Sequence, residues 1–475
     1  MKIVLSISVY DLASAIGGSF SGDPLLVFSG VTRDTRTLSQ GDMFVAIKGE
    51  RVHGADLAKQ ALRSGASVVL TDDKERACKS GASIEQLLIV DDVIKALGKI
   101  ATYYLQLLRK VTQKDLKVVA ITGSVGKTTT KDLLAHICRY RGDVVATEGS
   151  LNNEIGLPLT VMRADENTST LILEMGADHP GDITYLTDIV NPDVGAVIAI
   201  ARAHVGEFGG IENIQKTKAE MCAGVRQGGT LVLNVGDPLI EPMFFMKRQK
   251  DVDVCTYAAS LSHVDICASD IVCDEYSRAS FVLHADNVSA DVTLKISGEH
   301  HVSNALAAAS IALSLGIPFD NVAEILSESM QMSPHRMNVH MNGLTCIIDD
   351  SYNANPDSMR AAIKELGRIG SNKEGKKIAV LGSMLELGDD SALEHKNLCA
   401  LLLHISVDLV IGIGDDMRFL CEELDKHGVR NTWCSDYEEG LKKLNSEREA
   451  KDTILLKGSH GSNVWKIAEA LQSKG

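Results

Sequence analysis

A glycine-punctuated segment that carries one lysine and a run of hydroxyls is the clearest chemical signal in this sequence. It reads GSVGKTTT, from Gly123 to Thr130, and follows an apolar stretch at residues 118–121 that is typical of a buried strand. Two glycines allow backbone N–H groups to surround an anion, the dipole of a following helix attracts it, and Lys127 adds a full charge. Thr128 is then placed to bind Mg²⁺. An ordinary strand-to-helix turn with a surface lysine is the less favoured interpretation.

The spacing within this loop is short. Only Ser124 and Val125 separate the two glycines, whereas the commonest nucleotide loop, GxxxxGK[ST], has four residues there. The order of the groups still predicts a phosphate-binding loop, with the following helix starting near Lys131. Alone, the loop indicates a nucleotide but no particular reaction. The loop residues expected to contact the nucleotide are Gly123, Ser124, Val125, Gly126, Lys127, Thr128 and Thr129.

Two further candidate groups follow strands predicted downstream of the loop. Glu174 lies in the strand predicted at residues 170–175, near its carboxyl end, and His204 follows the strand predicted at residues 194–200. In a parallel sheet these strand ends face the same crevice as the loop, and we expect the two strands to be adjacent. A carboxylate and an imidazole beside bound phosphates can hold a divalent ion. The sequence therefore suggests a metal centre next to the nucleotide.

The elements that must position these groups follow an α/β pattern. A chain of 475 residues, 45% of them hydrophobic, is long enough for about three domains, each with its own core. Polar segments at 110–117 and 332–338 are the expected boundaries, which predicts domains at 1–113, 114–333 and 334–475. The third domain alternates strands and helices regularly, and this predicts a doubly wound parallel sheet.

Polar loops follow the predicted strands of the third domain, at residues 349–356, 382–386 and 457–460. In sheets of this kind the functional groups lie at such strand ends. In the preceding domain, an alanine-rich helix carries His301 and Asn304 at its entry. A packed helix explains the alanines, but it leaves these polar groups available to contact a base.

The overall charge excludes some classes of partner. With 63 acidic and 48 basic residues, the formal net charge is −15, which argues against a general binder of nucleic acids or anionic membranes. The ten cysteines form no CxxC pair, as expected of reduced thiols. The amino terminus reaches Asp11 too soon for a signal peptide, and no stretch approaches a membrane span. We therefore expect a cytoplasmic protein.

Eight segments spread over nearly the whole chain form one set of motifs. They are TGSVGKTTTK (122–131), LNNEIGLPLT (151–160), LEMGADHPGDI (173–183), AHVGEFGGIENIQKTKAE (203–220), NALAAA (304–309), DDSYNANPDSMRAAI (349–363), VLGSMLELGD (380–389) and LLKGS (455–459). This set resembles the Mur ligases, the ATP-dependent amide-bond-forming enzymes of peptidoglycan synthesis, which use the shortened phosphate loop. DDSYNANP and LGSMLELG point to the member that adds D-Ala-D-Ala, and the DNPR signature of the meso-diaminopimelate-adding member is absent from the sequence.

The resemblance implies three domains: a UDP-sugar domain, a central P-loop-type α/β ATPase domain and a C-terminal Rossmann-like domain. It implies a monomeric enzyme that uses ATP and Mg²⁺ to join UDP-MurNAc-tripeptide to D-Ala-D-Ala. The γ-phosphoryl group of ATP would pass to the tripeptide carboxylate, and the amine of D-Ala-D-Ala would attack the acyl phosphate. Phosphorylation supplies the leaving group that a carboxylate lacks, while the metal ions and Lys127 offset repulsion between two anions.

The resemblance also assigns roles to residues that match the family's motifs. Lys218 corresponds to a lysine that is carbamylated in this family; from the sequence alone, Lys216, Lys218 and Glu220 would form a solvated helix face with an ordinary ion pair. The catalytic residues would be Lys127, His204 and Lys218, and the metal would meet Thr128, Glu174, His204 and Lys218. ATP contacts outside the loop would be Asn304, Arg336 and Asp350. The other substrates would meet Asp34, Thr35, Arg36, Asn152, Asn153, Asn353, Asn355, Lys457 and Ser459.

Some positions depart from the family pattern, and two other functions are alternatives to this one. His301, His335 and His460 stand where asparagine, glycine and arginine are usual, and residues 52–56 differ from the usual FDGHDF segment. Folylpolyglutamate synthetase resembles the second and third domains but lacks the UDP-sugar region. A non-catalytic nucleotide-binding module has little need of a second metal. The third residue of the tripeptide, lysine or meso-diaminopimelate, is left open.

Overall fold

The computed structural model describes residues 7–112, 115–201, 208–246, 251–260 and 263–472. The strands of the amino-terminal part are β1 (Ile7–Ser8), β2 (Val27–Phe28), β3 (Val31–Thr32), β4 (Met43–Val45), β5 (Val68–Thr71) and β6 (Leu87–Ile89). β3 to β6 form a parallel sheet in sequence order, and β1 pairs with β2 antiparallel. The helices are Val9–Ile16, Ala58–Arg63, Lys74–Ser80 and Val93–Val111, with 3₁₀ turns at Gly54–Leu57 and Ile84–Gln86.

A nine-stranded sheet forms the central part. Its strands are β7 (Lys117–Thr122), β8 (Asp143–Ala146), β9 (Thr168–Met175), β10 (Val194–Val197), β11 (Thr230–Asn234), β12 (Asp253–Ala258), β13 (Ile266–Cys273), β14 (Arg278–Ala285) and β15 (Val288–Ser297). The order is β15-β14-β13-β12-β11-β10-β7-β9-β8. β14 is antiparallel to both of its neighbours, β13 and β15, and the other neighbouring strands are parallel. The helices are Lys127–Cys138, Gly156–Val161, Asp182–Val190, Ile211–Ala219, Met221–Gly224, His301–Ser314 and Phe319–Leu326, with a 3₁₀ turn at Glu241–Phe245.

The carboxy-terminal part contains a six-stranded sheet. Its strands are β16 (Asn338–Asn342), β17 (Thr345–Asp349), β18 (Lys377–Gly382), β19 (Leu409–Ile413), β20 (Asn431–Cys434) and β21 (Thr453–Lys457). The order is β16-β17-β21-β18-β19-β20, with β16 antiparallel at the edge. The helices are Pro356–Gly370, Ser391–His404, Met417–Lys426, Tyr437–Glu447 and Val464–Gln472, with 3₁₀ turns at Gly388–Asp390 and His460–Ser462.

The long helix Val93–Val111 joins the amino-terminal sheet to the central one. Its apolar face packs into a core shared by both parts. The Tyr104 hydroxyl donates to the Ala164 carbonyl at 2.6 Å, and the Thr102 hydroxyl donates to the Ile189 carbonyl at 3.0 Å. These buried contacts fix the amino-terminal part on the scaffold that carries the nucleotide loop.

The parallel sheets predicted around the loop and in the carboxy-terminal part are confirmed. The helix after the loop begins at Lys127 and not near Lys131, because Gly126 in the left-handed region (φ 82°) ends the loop and the threonines form the first turn. Two elements were not predicted: the strand Asn338–Asn342 and the helix Tyr437–Glu447, which begins at an Asp436 cap. Within the described ranges, no helix combines the length and apolar character needed to cross a membrane.

One prediction about strand order is wrong. β7 pairs with β9 on one side and with β10 on the other, so the strand of Glu174 is not adjacent to the strand that precedes His204. Strand order depends on which helix crosses which face, and this is not visible in the local pattern of either strand. His204 itself lies outside the described residues.

Candidate active site

A cavity of about 770 Å³ lies at the carboxyl ends of β7 and β9. The nucleotide loop forms one wall, and segments after β17 and β21 of the carboxy-terminal sheet form another. Apart from Asp34, Thr35 and Arg36, every predicted site residue that the structure describes lines this cavity. Residues separated by more than 300 positions in the sequence are thereby brought around one space.

The nucleotide loop ends at a position that only glycine fits. Gly126 has a φ of 82°, and a Cβ atom there would lie 2.5 Å from Asn304 Oδ1. Asn304 is held by its own neighbours, since its amide nitrogen lies 3.0 Å from His301 Nδ1. No side chain caps the helix that begins at Lys127. Its first N–H groups and its dipole are therefore available to an anion in the cavity.

Lys127 folds back onto its own loop. Its Nζ donates to the Gly123 carbonyl at 2.6 Å. Burial lowers the pKa of this amine, and the nearby Glu174 carboxylate opposes that shift in part. A phosphate in the loop would add negative charge beside Nζ and stabilise the protonated form.

Glu174 presents a buried carboxylate to the same cavity. It is 2% exposed, and its Oε2 accepts a hydrogen bond from the Thr128 hydroxyl at 3.3 Å. Its Oε1 has no hydrogen-bond partner, and burial raises the pKa of the group. Magnesium prefers oxygen ligands, so an unsatisfied carboxylate oxygen beside a hydroxyl fits this ion. Among the described residues, no group of three acidic, histidine or cysteine side chains is placed to hold a metal ion.

Lys218 is a buried amine and not part of a solvated ion pair. It lies on the helix Ile211–Ala219 and is 3% exposed. Burial and the neighbouring charge of Lys127 lower its pKa to about 7. Glu220 instead accepts hydrogen bonds from the backbone N–H groups of Gly181 at 2.7 Å and Thr184 at 2.9 Å. The ion-pair interpretation is therefore wrong, and Lys218 offers a reactive, largely deprotonated amine above neutral pH.

Arg336 reaches the nucleotide loop from the segment that leads into the carboxy-terminal sheet. Its guanidinium donates to the Thr128 hydroxyl at 3.2 Å and lies 4.0 Å from the centre of the Tyr352 ring. The Tyr352 hydroxyl in turn hydrogen-bonds the Ser150 hydroxyl of the central part. A stacked arginine keeps its planar donors oriented, so Arg336 is aimed at the loop.

The residue before Arg336 has an unusual backbone. His335 adopts a φ of 61°, in the left-handed region that favours glycine. For a residue with a Cβ atom this conformation costs about 1–2 kcal/mol. The His335 ring lies with Nδ1 2.8 Å from Asp349 Oδ2, and this hydrogen bond raises the pKa of the imidazole. The contact offsets the strain and explains how this chain accommodates histidine there.

The raised pKa predicts that the stabilisation from His335 depends on pH. A group whose pKa is higher in the folded state contributes fully below its unfolded pKa, and the contribution is lost as the pH rises through the folded pKa. We expect His335→Gln to lower the free energy of unfolding by about 1–3 kcal/mol at pH 6, as for a partly buried charged hydrogen bond. The loss should be smaller at pH 9. Urea unfolding of both proteins at the two pH values measures it, and a loss equal at both would contradict the charged pair.

Hydrogen bonds shape the carboxy-terminal side of the cavity. Buried Lys457 donates to the Asp350 carboxylate at 2.5 Å and to the Asn353 carbonyl at 3.1 Å. Asn355 Oδ1 accepts from the Ser358 N–H at 2.9 Å and caps the helix Pro356–Gly370. The Ser459 hydroxyl accepts from the Leu385 N–H at 2.9 Å. Of these groups, the exposed Asn353 has the most freedom to contact a ligand.

The two asparagines after the central strand β8 differ in their surroundings. Asn153 Oδ1 accepts the N–H groups of Ile155 at 3.3 Å and Gly156 at 3.0 Å, at the start of a helix. The Asn152 carbonyl accepts from the Gly176 N–H at 2.8 Å, and both residues line the cavity. Asn152 therefore has the freer side chain of the two.

Asp34, Thr35 and Arg36 lie apart from the cavity, in the amino-terminal part. The Arg36 guanidinium pairs with Asp34 at 2.6 Å, and the Arg36 side chain is 87% exposed. This hydrogen bond lowers the pKa of Asp34 to about 2. The group thus forms an exposed charged loop in this structure.

Tyr352 and Ser150 belong to the site but were not predicted from the sequence. Tyr352 lies inside the DDSYNANP motif, so a signal was present, but nothing local to the sequence pairs it with Arg336. His460, which departs from the family pattern, stacks on Trp465 with the ring centres 5.4 Å apart. That aromatic contact gives the histidine a packing role at the mouth of the cavity.

Comparison with known proteins covers all three parts of the chain. The model of the Mur ligase family, catalytic domain, matches residues 27–104. The Mur ligase middle domain matches residues 121–312. The Mur ligase, glutamate ligase domain, matches residues 335–460.

Individual relatives match over the full length. The UDP-N-acetylmuramoyl-tripeptide–D-alanyl-D-alanine ligase of Mycobacterium bovis is 34% identical, with 98% of each chain covered. A crystal structure of MurF from Acinetobacter baumannii superposes with a TM-score of 0.86 at 28% identity and covers 99% of this chain and 100% of that one. The MurF ligase of Thermotoga maritima in complex with ADP gives a TM-score of 0.77 at 26% identity, covering 94% and 98%. With the cavity and its phosphate loop described, these similarities establish that the chain belongs to the Mur ligase family.

Proposed function

We propose that this chain joins D-Ala-D-Ala to UDP-MurNAc-tripeptide in peptidoglycan precursor synthesis, with hydrolysis of ATP to ADP and phosphate. One observation carries the proposal: a phosphate loop and the polar ends of β17 and β21 line the same cavity. A phosphoryl donor and an acyl acceptor can therefore meet there. The full-length relatives that carry this activity in their names support the choice of substrates.

The proposed reaction has two steps. The tripeptide carboxylate attacks the γ-phosphorus of ATP, which forms an acyl phosphate and releases ADP. The amine of D-Ala-D-Ala then attacks the acyl carbon, loses a proton and expels phosphate. Lys127 and Arg336 provide positive charge beside the transferring group, because the transition state spreads negative charge over the phosphoryl oxygens.

Mg²⁺ is part of the proposal. Thr128 would hold one ion with the phosphates of ATP, and Glu174, His204 and a carbamylated Lys218 would hold a second ion. Bound magnesium neutralises phosphate charge and orients the γ-phosphoryl group. The unpartnered Glu174 Oε1 and the low pKa of Lys218 support these assignments.

The other predicted site residues would contact the remaining parts of the substrates. Asn304 would meet the adenine, and Asp350, which accepts a hydrogen bond from Lys457, would reach ATP. Asn152 and Asn153 would lie between ATP and the tripeptide carboxylate. D-Ala-D-Ala would meet the carboxy-terminal loops through Asn353, Asn355, Lys457 and Ser459, and the UDP moiety would meet Asp34, Thr35 and Arg36. We propose the domain boundaries 1–113, 114–333 and 334–475 for a monomer that acts in the cytoplasm.

Substrate-dependent release of ADP tests the function. We expect the purified protein to release ADP from ATP over many turnovers only when UDP-MurNAc-tripeptide and D-Ala-D-Ala are both present. N-acetylated D-Ala-D-Ala, which lacks the nucleophilic amine, is the matched control and should give no amide product. Parallel assays with tripeptides ending in lysine or meso-diaminopimelate identify the acceptor. Phosphate release with folate and glutamate instead would contradict the proposal.

A further inference from the structure

A buried lysine next to the nucleotide loop has no role in the reaction described above. Lys131 is 5% exposed, and its Nζ lies 2.8 Å from Asp132 Oδ1 and 3.9 Å from Glu174 Oε1. The same Nζ donates to the Thr147 carbonyl at 3.0 Å and approaches the Ser333 hydroxyl at 3.5 Å. One ammonium thus links the loop helix, the segment after β8 and the connector to the carboxy-terminal sheet.

The connector, residues 329–337, is held at both ends. On the central side, Asp132 Oδ2 accepts the N–H of Ser333 at 2.8 Å. On the carboxy-terminal side, Asp350 Oδ1 accepts the N–H of Met337 at 3.1 Å. Arg336 lies between these anchors, three residues after Ser333, and Pro334 restricts the backbone of that short span. The hydrogen bond from Ser333 to Asp132 therefore helps to position the Arg336 guanidinium.

We propose that Lys131 and Asp132 are positioning residues that fix the connector so that Arg336 reaches Thr128. A buried ion pair contributes little net stability compared with apolar side chains of similar size. Its contribution here is geometric, since it orients Asp132 Oδ2 toward the Ser333 N–H, which holds the connector on the central side. The inference rests on the proposed function only for its kinetic readout; its main test is nucleotide binding.

A double-mutant cycle tests the proposal. The variants are Asp132→Ala, Arg336→Ala and the double substitution, and the measurement is the Kd of a non-hydrolysable ATP analogue with Mg²⁺ by calorimetry. We expect each single substitution to weaken binding about tenfold, the size of one charge-assisted hydrogen bond. The double variant should bind the analogue about as tightly as the weaker-binding of the two single variants, because Asp132 acts through Arg336. If the two substitutions act independently, their tenfold effects multiply and the Kd of the double variant rises about a hundredfold. That result would overturn the proposal.

Two further variants separate positioning from general stability. Asp132→Asn retains an oxygen that can accept from Ser333, and it should recover most of the binding; failure to do so would count against the proposal. Arg141→Met is the matched control, because Arg141 also anchors a carbonyl, that of Leu315, but lies beyond the far end of the loop helix. It should lower the melting temperature without changing the Kd. If Arg141→Met weakens binding as Asp132→Ala does, the effect is general and the proposal is wrong.

The kinetic readout distinguishes this inference from the proposed ligase activity. In the ADP-release assay, Asp132→Ala should raise KM for ATP and leave KM for D-Ala-D-Ala unchanged. A wild-type protein that binds the analogue but releases no ADP with the two substrates would refute the proposed function alone. The binding cycle would still decide the role of Asp132, the residue through which Lys131 is proposed to act.

Discussion

Substitution of Lys127 by alanine is expected to lower kcat for ADP release by about 10²- to 10³-fold, the effect of removing one preorganised donor from a developing negative charge. The Nζ atom lies on the nucleotide loop within a cavity that also contains the buried Glu174 carboxylate, whose Oε1 has no hydrogen-bond partner. Without the ammonium, the negative charges of phosphate and carboxylate oppose one another. Steady-state kinetics with both substrates at saturation measures the change.

The conservative variant Lys127→Arg is the control for charge. It keeps a cation, but its planar group cannot occupy the same position at the Gly123 carbonyl, so we expect partial activity. A circular dichroism melt should show that both variants are folded. Normal turnover by folded Lys127→Ala would show that the loop does not act on the transferring phosphoryl group.

Substitution of Lys218 by alanine is the second change with a large expected effect. We expect kcat to fall by about 10²-fold, because a group that completes a metal site would be lost. Addition of a short carboxylate such as acetate should restore part of the activity, since a carbamate is carboxylate-like. Full activity without added carboxylate would refute the carbamate. Lys216→Ala, an exposed neighbour on the same helix, is the matched control and should remain active.

The pH dependence of Lys218 follows from its pKa of about 7. Carbon dioxide reacts with the neutral amine, which loses a proton as the N–C bond forms. Neutral amine dominates above pH 7, so carbamylation should be favoured at pH 8 and should require more added bicarbonate at pH 6. A ¹³C carbamate signal from labelled bicarbonate, present in the wild type and absent from Lys218→Ala, would measure this directly.

The parts of the site that depend on local chemistry could be predicted from the sequence. The phosphate loop is one example, because strand, glycines, lysine and hydroxyls are contiguous, and Glu174 is another, because strand ends face one edge of a parallel sheet. The start of the helix at Lys127 could not be predicted, because threonine has a low helix propensity and the position of Gly126 in the tertiary structure determines where the helix begins.

Other features depend on contacts between distant segments. The burial of Lys218 was not visible, because charged residues on a helical pattern usually face solvent. The separation of β9 and β10 by β7 follows from chain crossovers and not from the strands themselves. Asn153 and Asn355 show a different difficulty, because asparagine serves equally well as a ligand and as a partner of backbone N–H groups at a helix start. Here the amide oxygen of Asn355 caps a helix, and that of Asn153 accepts the Gly156 N–H where another helix begins.

The hydrogen bond between Arg336 and Thr128 makes nucleotide affinity and interdomain geometry thermodynamically linked quantities. The arginine belongs to the carboxy-terminal side of the connector, whereas the hydroxyl belongs to the phosphate loop. If nucleotide favours the arrangement in which they meet, that arrangement must favour nucleotide by the same factor. A compound that holds the central and carboxy-terminal parts apart would therefore weaken ATP binding without contacting the ATP site. Excess ATP would relieve its inhibition.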